Sequence, residues 1–211
     1  MYETIYTDVL TTAKTIGLSS GEGDGRLDSA MKEGPYLLEL KRLLLEKNQD
    51  WVIEIPKERS WCDIMIQSIP INLKLTEAKS SDNCANKRAI FFSITGSQDY
   101  PYSSTWNDLY DKLTATPVKS QRDKMTEYHY LVKNKLTGEV LLKAMFDIHT
   151  YVSNPSNDLQ INWKNEFTNL DYHPEDYPKK VHELLKCIQT SVKAMIERTA
   201  RFANADLSLV K

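Results

Sequence analysis

Residues 62–74 read CDIMIQSIPINLK, and this stretch decides the fold that the sequence predicts. Two short runs rich in isoleucine are separated by a turn expected over 68–70, a pattern typical of a β-hairpin. Because alternate residues of a strand point to the same side, Asn72 and Lys74 share one side of the second strand, while Asp63 begins the first. The hairpin is therefore expected to bring an acid, an amide and an ammonium group together.

The chain on both sides of this hairpin alternates between helical and strand-like patterns. Leucines recur on one broad face over 35–47, which predicts a helix with Pro35 in its first turn. Gly96 is expected to end another helix, whose cap lies among residues 80–83. The other expected elements are a helix over 1–16, a loop over 19–29, strands over 51–56, 63–66 and 69–76, a loop with a short helix over 97–126, a hairpin over 128–148, and a long helix from near Pro174. This order predicts a mixed α/β layer fold.

Length and composition limit the class of protein to which the chain can belong. The 211 residues fit one domain over 1–211, and 41% hydrophobic with 27% charged residues is typical of a globular chain. No apolar run approaches the roughly 20 residues of a membrane helix, and the N-terminal segment lacks a signal-peptide pattern, so a cytoplasmic protein without membrane association is expected. The three cysteines show no paired spacing and are expected to be reduced thiols. With a net charge of −2, any binding of nucleic acid must depend on a local basic patch.

The polar groups of the hairpin suit a divalent cation. A carboxylate oxygen of Asp63, the amide oxygen of Asn72 and the backbone carbonyl of Leu73 are the hard oxygen ligands that Mg²⁺ accepts, together with several waters. Lys74 would lie beside such an ion, where an ammonium group can orient a water and stabilise the charge that develops on a phosphate. The alternative is a plain salt bridge between Asp63 and Lys74 on an exposed strand pair. The apolar residues that alternate with Asn72 and Lys74 favour a strand that lines an internal cleft.

Four segments resemble a known family of nucleases. The acid and the lysine on a hairpin are similar to the PD-(D/E)XK nuclease core, and the surrounding segments are similar to type II restriction endonucleases of the EcoRV and HincII branch. The segments are GPYLLELKRLLLEK (34–47), VIEIPKERSWCDIMI (52–66), NLKLTEAKSSDN (72–83) and VSNPSNDLQINWKNEF (152–167), within a resemblance that spans about residues 17–203. The resemblance implies a central mixed β-sheet flanked by helices and Mg²⁺-dependent hydrolysis of double-stranded DNA at a short palindrome. It also implies a homodimer and a cognate DNA methyltransferase in the same system.

Asn72 departs from the pattern of this family, which has an acid at that position. An asparagine keeps an oxygen ligand but removes one negative charge from the metal site. A helix carboxylate could compensate, because such residues enter the site in parts of this superfamily; Glu39 is the first candidate and Glu33 the second. The alternatives are weaker binding of Mg²⁺, a glutamate that only pairs on the helix surface, as Glu39 could with Arg42, and an asparagine that is an inactivating substitution.

Two polar segments are the candidates for contact with DNA. In 152–167 the amide side chains could read adenine in the major groove and Lys164 could reach guanine or phosphate, whereas Trp163 is expected to pack. In the related enzymes the loop after the catalytic lysine borders the DNA, so its basic residues are expected on phosphates. The alternative for both segments is local, with the same side chains forming Asx turns and helix caps. The candidate DNA-binding residues are Asn83, Asn86, Lys87, Arg88, Asn162, Lys164 and Asn165.

Together these features predict a Mg²⁺-dependent, type II site-specific deoxyribonuclease with Asp63, Asn72, Lys74 and Glu39 as its catalytic residues. Because one such site cuts one strand, two-fold symmetry would place two sites on the two strands of a palindrome. Two alternatives stay open: a repair or junction nuclease on the same core, and a DNA-binding module in which Asn72 has removed catalysis.

Overall fold

The computed structural model describes residues 1–18, 25–57, 60–101, 104–169 and 176–204, and for 25–30, 201 and 202 it describes the backbone only. Residues 19–24, which make up much of the loop predicted over 19–29, lie outside this described part, and the chain is helical from Gly25. Among the described residues, no helix is both long and apolar enough to cross a membrane.

Helices and strands alternate along the chain. The helices are α1 (Tyr2–Thr15), α2 (Gly25–Lys47), α3 (Lys87–Thr95), α4 (Trp106–Ala115), α5 (Trp163–Thr168) and α6 (Tyr177–Ala203). The strands are β1 (Ile53–Glu54), β2 (Ile64–Ile66), β3 (Ile69–Thr76), β4 (Ser81–Asn83), β5 (His129–Asn134), β6 (Val140–Ala144), β7 (Tyr151–Asn154) and β8 (Asp158–Asn162). Short 3-10 helices lie at Lys124–Thr126 and Met145–Asp147.

The central sheet of the described chain has the strand order β1-β2-β3-β5-β6. Strands β3 and β5 are parallel, whereas the other neighbours are antiparallel, so the sheet is mixed. Apolar residues of α1 and α2 pack on one side of it, and those of α3 and α6 pack in the cluster on the other side. The expected α/β fold with a mixed central sheet and flanking helices is therefore confirmed.

Alternation along β3 separates two hydrophobic layers. Ile71, Leu73 and Leu75 are buried on the side covered by α1 and α2. Burial of each of these side chains stabilises the fold by about 1.5–3 kcal/mol. Asn72 and Lys74 are half-buried and point to the opposite side of the sheet. The two polar residues are therefore fixed in place by a strand whose other side lies in the core.

The turn between β2 and β3 differs from the expected one. Gln67 and Ser68 form it, with φ angles of 48° and 69°, and two consecutive residues with positive φ are typical of a two-residue hairpin turn. Pro70 lies inside β3 opposite Met65, so the turn expected over 68–70 was placed too late. The predicted strand over 69–76 is confirmed.

The elements before the hairpin are shifted from their predicted bounds. Helix α2 begins at Gly25, so Pro35 lies inside the helix and not in its first turn. The strand predicted over 51–56 is reduced to β1, because only Ile53 and Glu54 pair with β2.

Helix α3 ends as predicted but begins later. Residues 81–83, where its cap was expected, form β4, and Asn86 caps the helix by accepting a hydrogen bond from the backbone of Ala89 at 3.0 Å. Gly96 ends the helix with a φ of 76°, a conformation that glycine adopts at little cost.

A second, smaller sheet forms next to the long C-terminal helix. Its order in the described chain is β4-β8-β7, and β7 with β8 form a hairpin within the segment 152–167. Leu159 and Ile161 are buried in the same cluster as Leu184 and Ile188 of α6. The predicted hairpin over 128–148 is confirmed as β5 and β6, and the long C-terminal helix is confirmed as α6.

Candidate active site

The carboxylate of Asp63 lies against the middle of β3. Its Oδ2 atom accepts hydrogen bonds from the side-chain amide of Asn72 at 2.6 Å and from the backbone N–H of Leu73 at 2.7 Å. The backbone N–H of Asp63 also donates to the carbonyl of Ile71 at 3.0 Å. These bonds orient the carboxylate and leave Oδ1 without a hydrogen-bond partner among the described residues. Leu73 therefore contacts Asp63 through its N–H, whereas the sequence predicted a role for its carbonyl.

Two further charged residues interact electrostatically with Asp63. Burial raises the pKa of Asp63, and the hydrogen bond from Leu73 and the nearby Lys74 ammonium oppose this rise. Burial also raises the pKa of Glu33, which the charge of Lys74 lowers and the charge of Asp63 raises. A half-buried carboxyl group with a perturbed pKa beside a lysine is typical of functional sites. Asp63, Lys74 and Glu33 therefore form one group of interacting charges.

The helix acid beside this group is Glu33, and Glu39, the first candidate from the sequence, lies elsewhere. Both carboxylate oxygens of Glu39 accept hydrogen bonds from the guanidinium of Arg42, at 2.9 and 2.7 Å, and its side chain is 41% exposed. Glu33 and Glu39 are six residues apart, which corresponds to one full turn of the helix plus about 240°. The two side chains therefore point in different directions. The structure thus corrects the order of the two candidates, and Glu39 forms the surface pair that was its alternative.

A cavity of about 350 Å³ opens beside Asn72 and Lys74. Its other walls come from the segment after β3 and from the tip of the β7–β8 hairpin. The residues that line it are Asn72, Lys74, Asn83, Cys84, Ala85, Asn86, Tyr128, Tyr130, Asn157 and Asp158. Two of the predicted DNA-binding residues, Asn83 and Asn86, thus share a cavity with two of the predicted catalytic residues.

One face of the second sheet continues from this cavity and carries amide side chains. In the register of the sheet, Asn83 lies opposite Gln160, and Ser81 lies opposite Asn162. Because paired and alternate residues share a face, these four residues lie on one side, which we call the amide face. Asp158 begins β8 on the same side, and Asp158 and Asn83 also line the cavity. The opposite side of the sheet carries Leu159 and Ile161, which are buried in the core.

Two of the predicted DNA-binding asparagines cap helices. Asn86 accepts from Ala89 and donates through its amide to the carbonyl of Trp61 at 2.9 Å. Asn162 accepts from the backbone N–H of Asn165 at 3.1 Å and caps α5. The local alternative considered for these segments therefore holds for both residues, although each also lies on the cavity wall or on the amide face.

The predicted basic residues lie on helices that follow these surfaces in the chain, Lys87 and Arg88 at the start of α3 and Lys164 on α5. The Lys87 ammonium lies 4.3 Å from the centre of the Trp106 ring, and the Arg88 guanidinium lies 5.0 Å from the centre of the Trp61 ring. Aromatic faces of this kind attract cations and hold them in one place. Lys164 and Asn165 are exposed on α5, while Trp163 is fully buried, which confirms the expectation that it packs.

Sequence reasoning missed Gln160, Asn157 and Asp158. Gln160 donates through its amide to the side-chain oxygen of Asn83 at 2.9 Å, and the other two residues lie at the hairpin tip in the cavity. The two-residue period of a strand would have placed Gln160 on the same side as Asn162. The pairing of β8 with β4, which brings the hairpin to the cavity, has no local signal.

The oxygen donors around Asp63 fit a hard divalent cation. The Oδ1 atom of Asp63, the amide oxygen of Asn72 and the carboxylate of Glu33 are the residues that could hold Mg²⁺, an ion that takes few protein ligands and keeps several waters. Among the residues that the structure describes, no group of three or more His, Cys, Asp or Glu side chains is placed to bind a metal. The candidate site therefore depends on two carboxylates, one amide and retained waters.

Comparison with known proteins gives this chain no family. No model of a known protein family matches it, and no curated protein matches its sequence.

Proposed function

We propose that the protein is a Mg²⁺-dependent, sequence-specific endonuclease of double-stranded DNA, a type II restriction enzyme on a PD-(D/E)XK core. The observation that carries the proposal is the cavity beside β3. It joins the strand residues Asn72 and Lys74 to Asn83 and Asn86, which the resemblance predicted as contacts to DNA. A half-buried acid and a lysine on the central mixed sheet, next to a polar face, support this chemistry.

The side chains of the candidate site would divide the work of phosphodiester hydrolysis. Asp63, Asn72 and Glu33 would hold Mg²⁺, which when bound supplies positive charge to a phosphate and lowers the pKa of a coordinated water. Lys74 orients the attacking water and stabilises the charge that grows on the phosphate oxygens. Asn72 and Leu73 hold the Asp63 carboxylate in one orientation through hydrogen bonds of 2.6 and 2.7 Å.

Three basic residues would support DNA binding despite the net charge of −2. Lys87, Arg88 and Lys164 lie near the two segments that border the cavity, and they would contact phosphates while the amide face meets the bases. Phosphate contacts supply affinity without sequence information, so the amides are the groups proposed to read sequence.

The proposed enzyme acts as a homodimer in the cytoplasm. One site of this kind cuts one strand, and two copies related by a two-fold axis meet both strands of a palindrome in the same way. A cognate DNA methyltransferase would then protect the host's own sites.

One observation favours a second candidate function. Asn72 donates its amide to Asp63 at 2.6 Å, so an amide and not a second acid lies closest to this carboxylate. A DNA-binding module without cleavage would have this arrangement. A repair or junction nuclease on the same core is the alternative within enzymes.

Digestion of a large DNA of known sequence with Mg²⁺ tests the proposal. We expect discrete fragments whose ends share one short palindrome, and no fragments when EDTA replaces Mg²⁺. A smear would instead indicate a nuclease without sequence specificity, and cleavage confined to branched DNA would indicate a junction nuclease. If the protein binds DNA but does not cleave it in the presence of Mg²⁺ or Mn²⁺, the result would support the DNA-binding module without catalysis.

A further inference from the structure

Gln160 and Asn83 form a fixed pair of amides on the amide face. They lie opposite each other on neighbouring antiparallel strands, and the Gln160 Nε2 atom donates to the Asn83 Oδ1 atom at 2.9 Å. This bond fixes which end of the Gln160 amide is the donor. The Oε1 atom and the second N–H of Gln160 are then free to meet a ligand as one acceptor and one donor.

Val152 adds an apolar group next to this pair. It lies opposite Gln160 on the other neighbouring strand, β7, and is 44% exposed. Directly opposed side chains in an antiparallel pair have Cβ atoms about 4.5–5.5 Å apart, so Val152 and Gln160 are neighbours on the same face. Most apolar side chains of this sheet point the other way, into the core under α6. Val152 is therefore an exposed apolar side chain on an otherwise polar face.

We propose that this arrangement reads an A·T base pair in the major groove, with Gln160 on adenine and Val152 on the methyl group of thymine. The inference rests on the proposed DNA-binding function and deepens it by naming a base pair. Adenine presents the N7 acceptor and the N6 donor, which match the free donor and acceptor of Gln160. Thymine of the same pair presents the C5 methyl group, which an apolar side chain contacts.

The same groups disfavour the other bases. Guanine presents two acceptors, N7 and O6, so the Gln160 oxygen would face another acceptor there. Cytosine presents a donor and no methyl group, which leaves the valine without a partner. Reversing the amide would not help, because its oxygen would then face the other guanine acceptor and the bond to Asn83 would be lost. The continuity of the amide face with the cavity through Asn83 places this readout beside the candidate active site.

Selection from a library of random duplexes tests this inference. The parent protein is incubated with the library and Ca²⁺ in place of Mg²⁺, and the bound DNA is sequenced. We expect an A·T pair at one position of each half-site. The variant Gln160→Ala should lose preference at that position alone, by about 5- to 150-fold, which is the range for one bidentate contact. Gln189→Ala, on the exposed side of α6, is the matched control and should keep the parent's preference.

Replacing the selected thymine with uracil isolates the valine contact. Uracil lacks only the methyl group, so the parent should bind this DNA about fourfold more weakly, the effect of one buried carbon group. The variant Val152→Ala should bind both DNAs alike, because the contact has already been removed.

Each contrary outcome has a separate meaning. A G·C pair at the position that depends on Gln160, or equal binding of thymine and uracil DNA by the parent, would overturn the inference and leave the endonuclease proposal intact. A uracil effect that persists in Val152→Ala would assign the methyl contact to another residue and also overturn it. Failure of the parent both to bind and to cleave any DNA would overturn the proposed function, and this inference with it.

Discussion

Glu166 is the buried acid whose loss the structure allows us to predict in most detail. This residue of α5 has no exposed side-chain surface. Its Oε1 atom accepts from the backbone N–H groups of His149 and Thr150, at 3.0 and 2.8 Å, and from the Thr150 hydroxyl at 2.6 Å. Its Oε2 atom accepts from Lys143 Nζ at 2.8 Å and from His149 Nδ1 at 3.0 Å. The carboxylate therefore ties β6 and the start of β7 to α5.

Glu166→Gln keeps the shape of the side chain but replaces one acceptor oxygen with an amide donor. The Lys143 ammonium, 5% exposed, would then lack its counter-charge, although its bond to the carbonyl of Asn169 at 2.6 Å remains. Breaking a buried ion pair in this way costs about 3–5 kcal/mol. For a chain of this size each kcal/mol lowers the melting temperature by about 2–4 °C, so we expect a decrease of about 6–20 °C.

Calorimetric melting of the parent and two variants measures this effect. Glu46→Gln is the matched control, because Glu46 is 59% exposed and its partner is Arg42 on the surface of α2. Exposed pairs contribute about 0–1 kcal/mol, so this control should melt within a few degrees of the parent. If Glu166→Gln melts no lower than Glu46→Gln, the buried cluster does not stabilise the fold and the reasoning fails.

The other predictions concern the candidate active site. Lys74→Ala should slow the cleavage step by about 10²–10³-fold while DNA affinity falls less than tenfold, since one charge among many phosphate contacts is a small share of binding; equal losses would make Lys74 a binding residue. Asn72→Asp should lower the Mg²⁺ concentration needed for half-maximal cleavage, and an unchanged dependence would exclude this side chain as a ligand. The pKa of Asp63 is raised in the folded protein. Between the ordinary and the raised pKa, the folded protein therefore binds more protons than the unfolded chain. The contribution of Asp63 to the free energy of unfolding accordingly falls as pH rises through that window. Urea unfolding of Asp63→Asn should show that part of the pH dependence removed.

Local patterns in the sequence were sufficient to predict the centre of the site. Alternation over 69–76 predicted β3 with its bounds, and the same period placed Asn72 and Lys74 together. Glycine chemistry predicted the end of α3 at Gly96, where positive φ excludes most other residues. These features depend on residues close together in the chain, so the sequence carries them.

Long-range pairing decided the features that the sequence missed. Asn83 and Gln160 are 77 residues apart, and no local pattern indicates that β4 and β8 become neighbours. The helical period shows that Glu33 and Glu39 face different directions, but the packing of α2 against β3 determines which of them approaches Asp63. The residues after β3 have a plausible cap sequence, yet pairing with β8 makes them a strand.

Single-turnover cleavage of plasmid DNA by the parent, Asp63→Asn and Glu39→Gln, over a range of Mg²⁺ concentrations, shows whether Asp63 belongs to a metal-dependent active site. We expect the parent to cut at discrete sites only with the metal. Cleavage by Asp63→Asn should be slower by about a thousandfold, because the variant loses the attraction between the Asp63 carboxylate and the positive charge of the site. One pair of unit charges about 4 Å apart is worth about 4 kcal/mol near a protein surface. Glu39→Gln should match the parent, because Glu39 pairs with Arg42 away from the cavity. Cleavage by Asp63→Asn at the parent's rate, or no cleavage by the parent with Mg²⁺ or Mn²⁺, would show that this site does not catalyse metal-dependent hydrolysis of DNA.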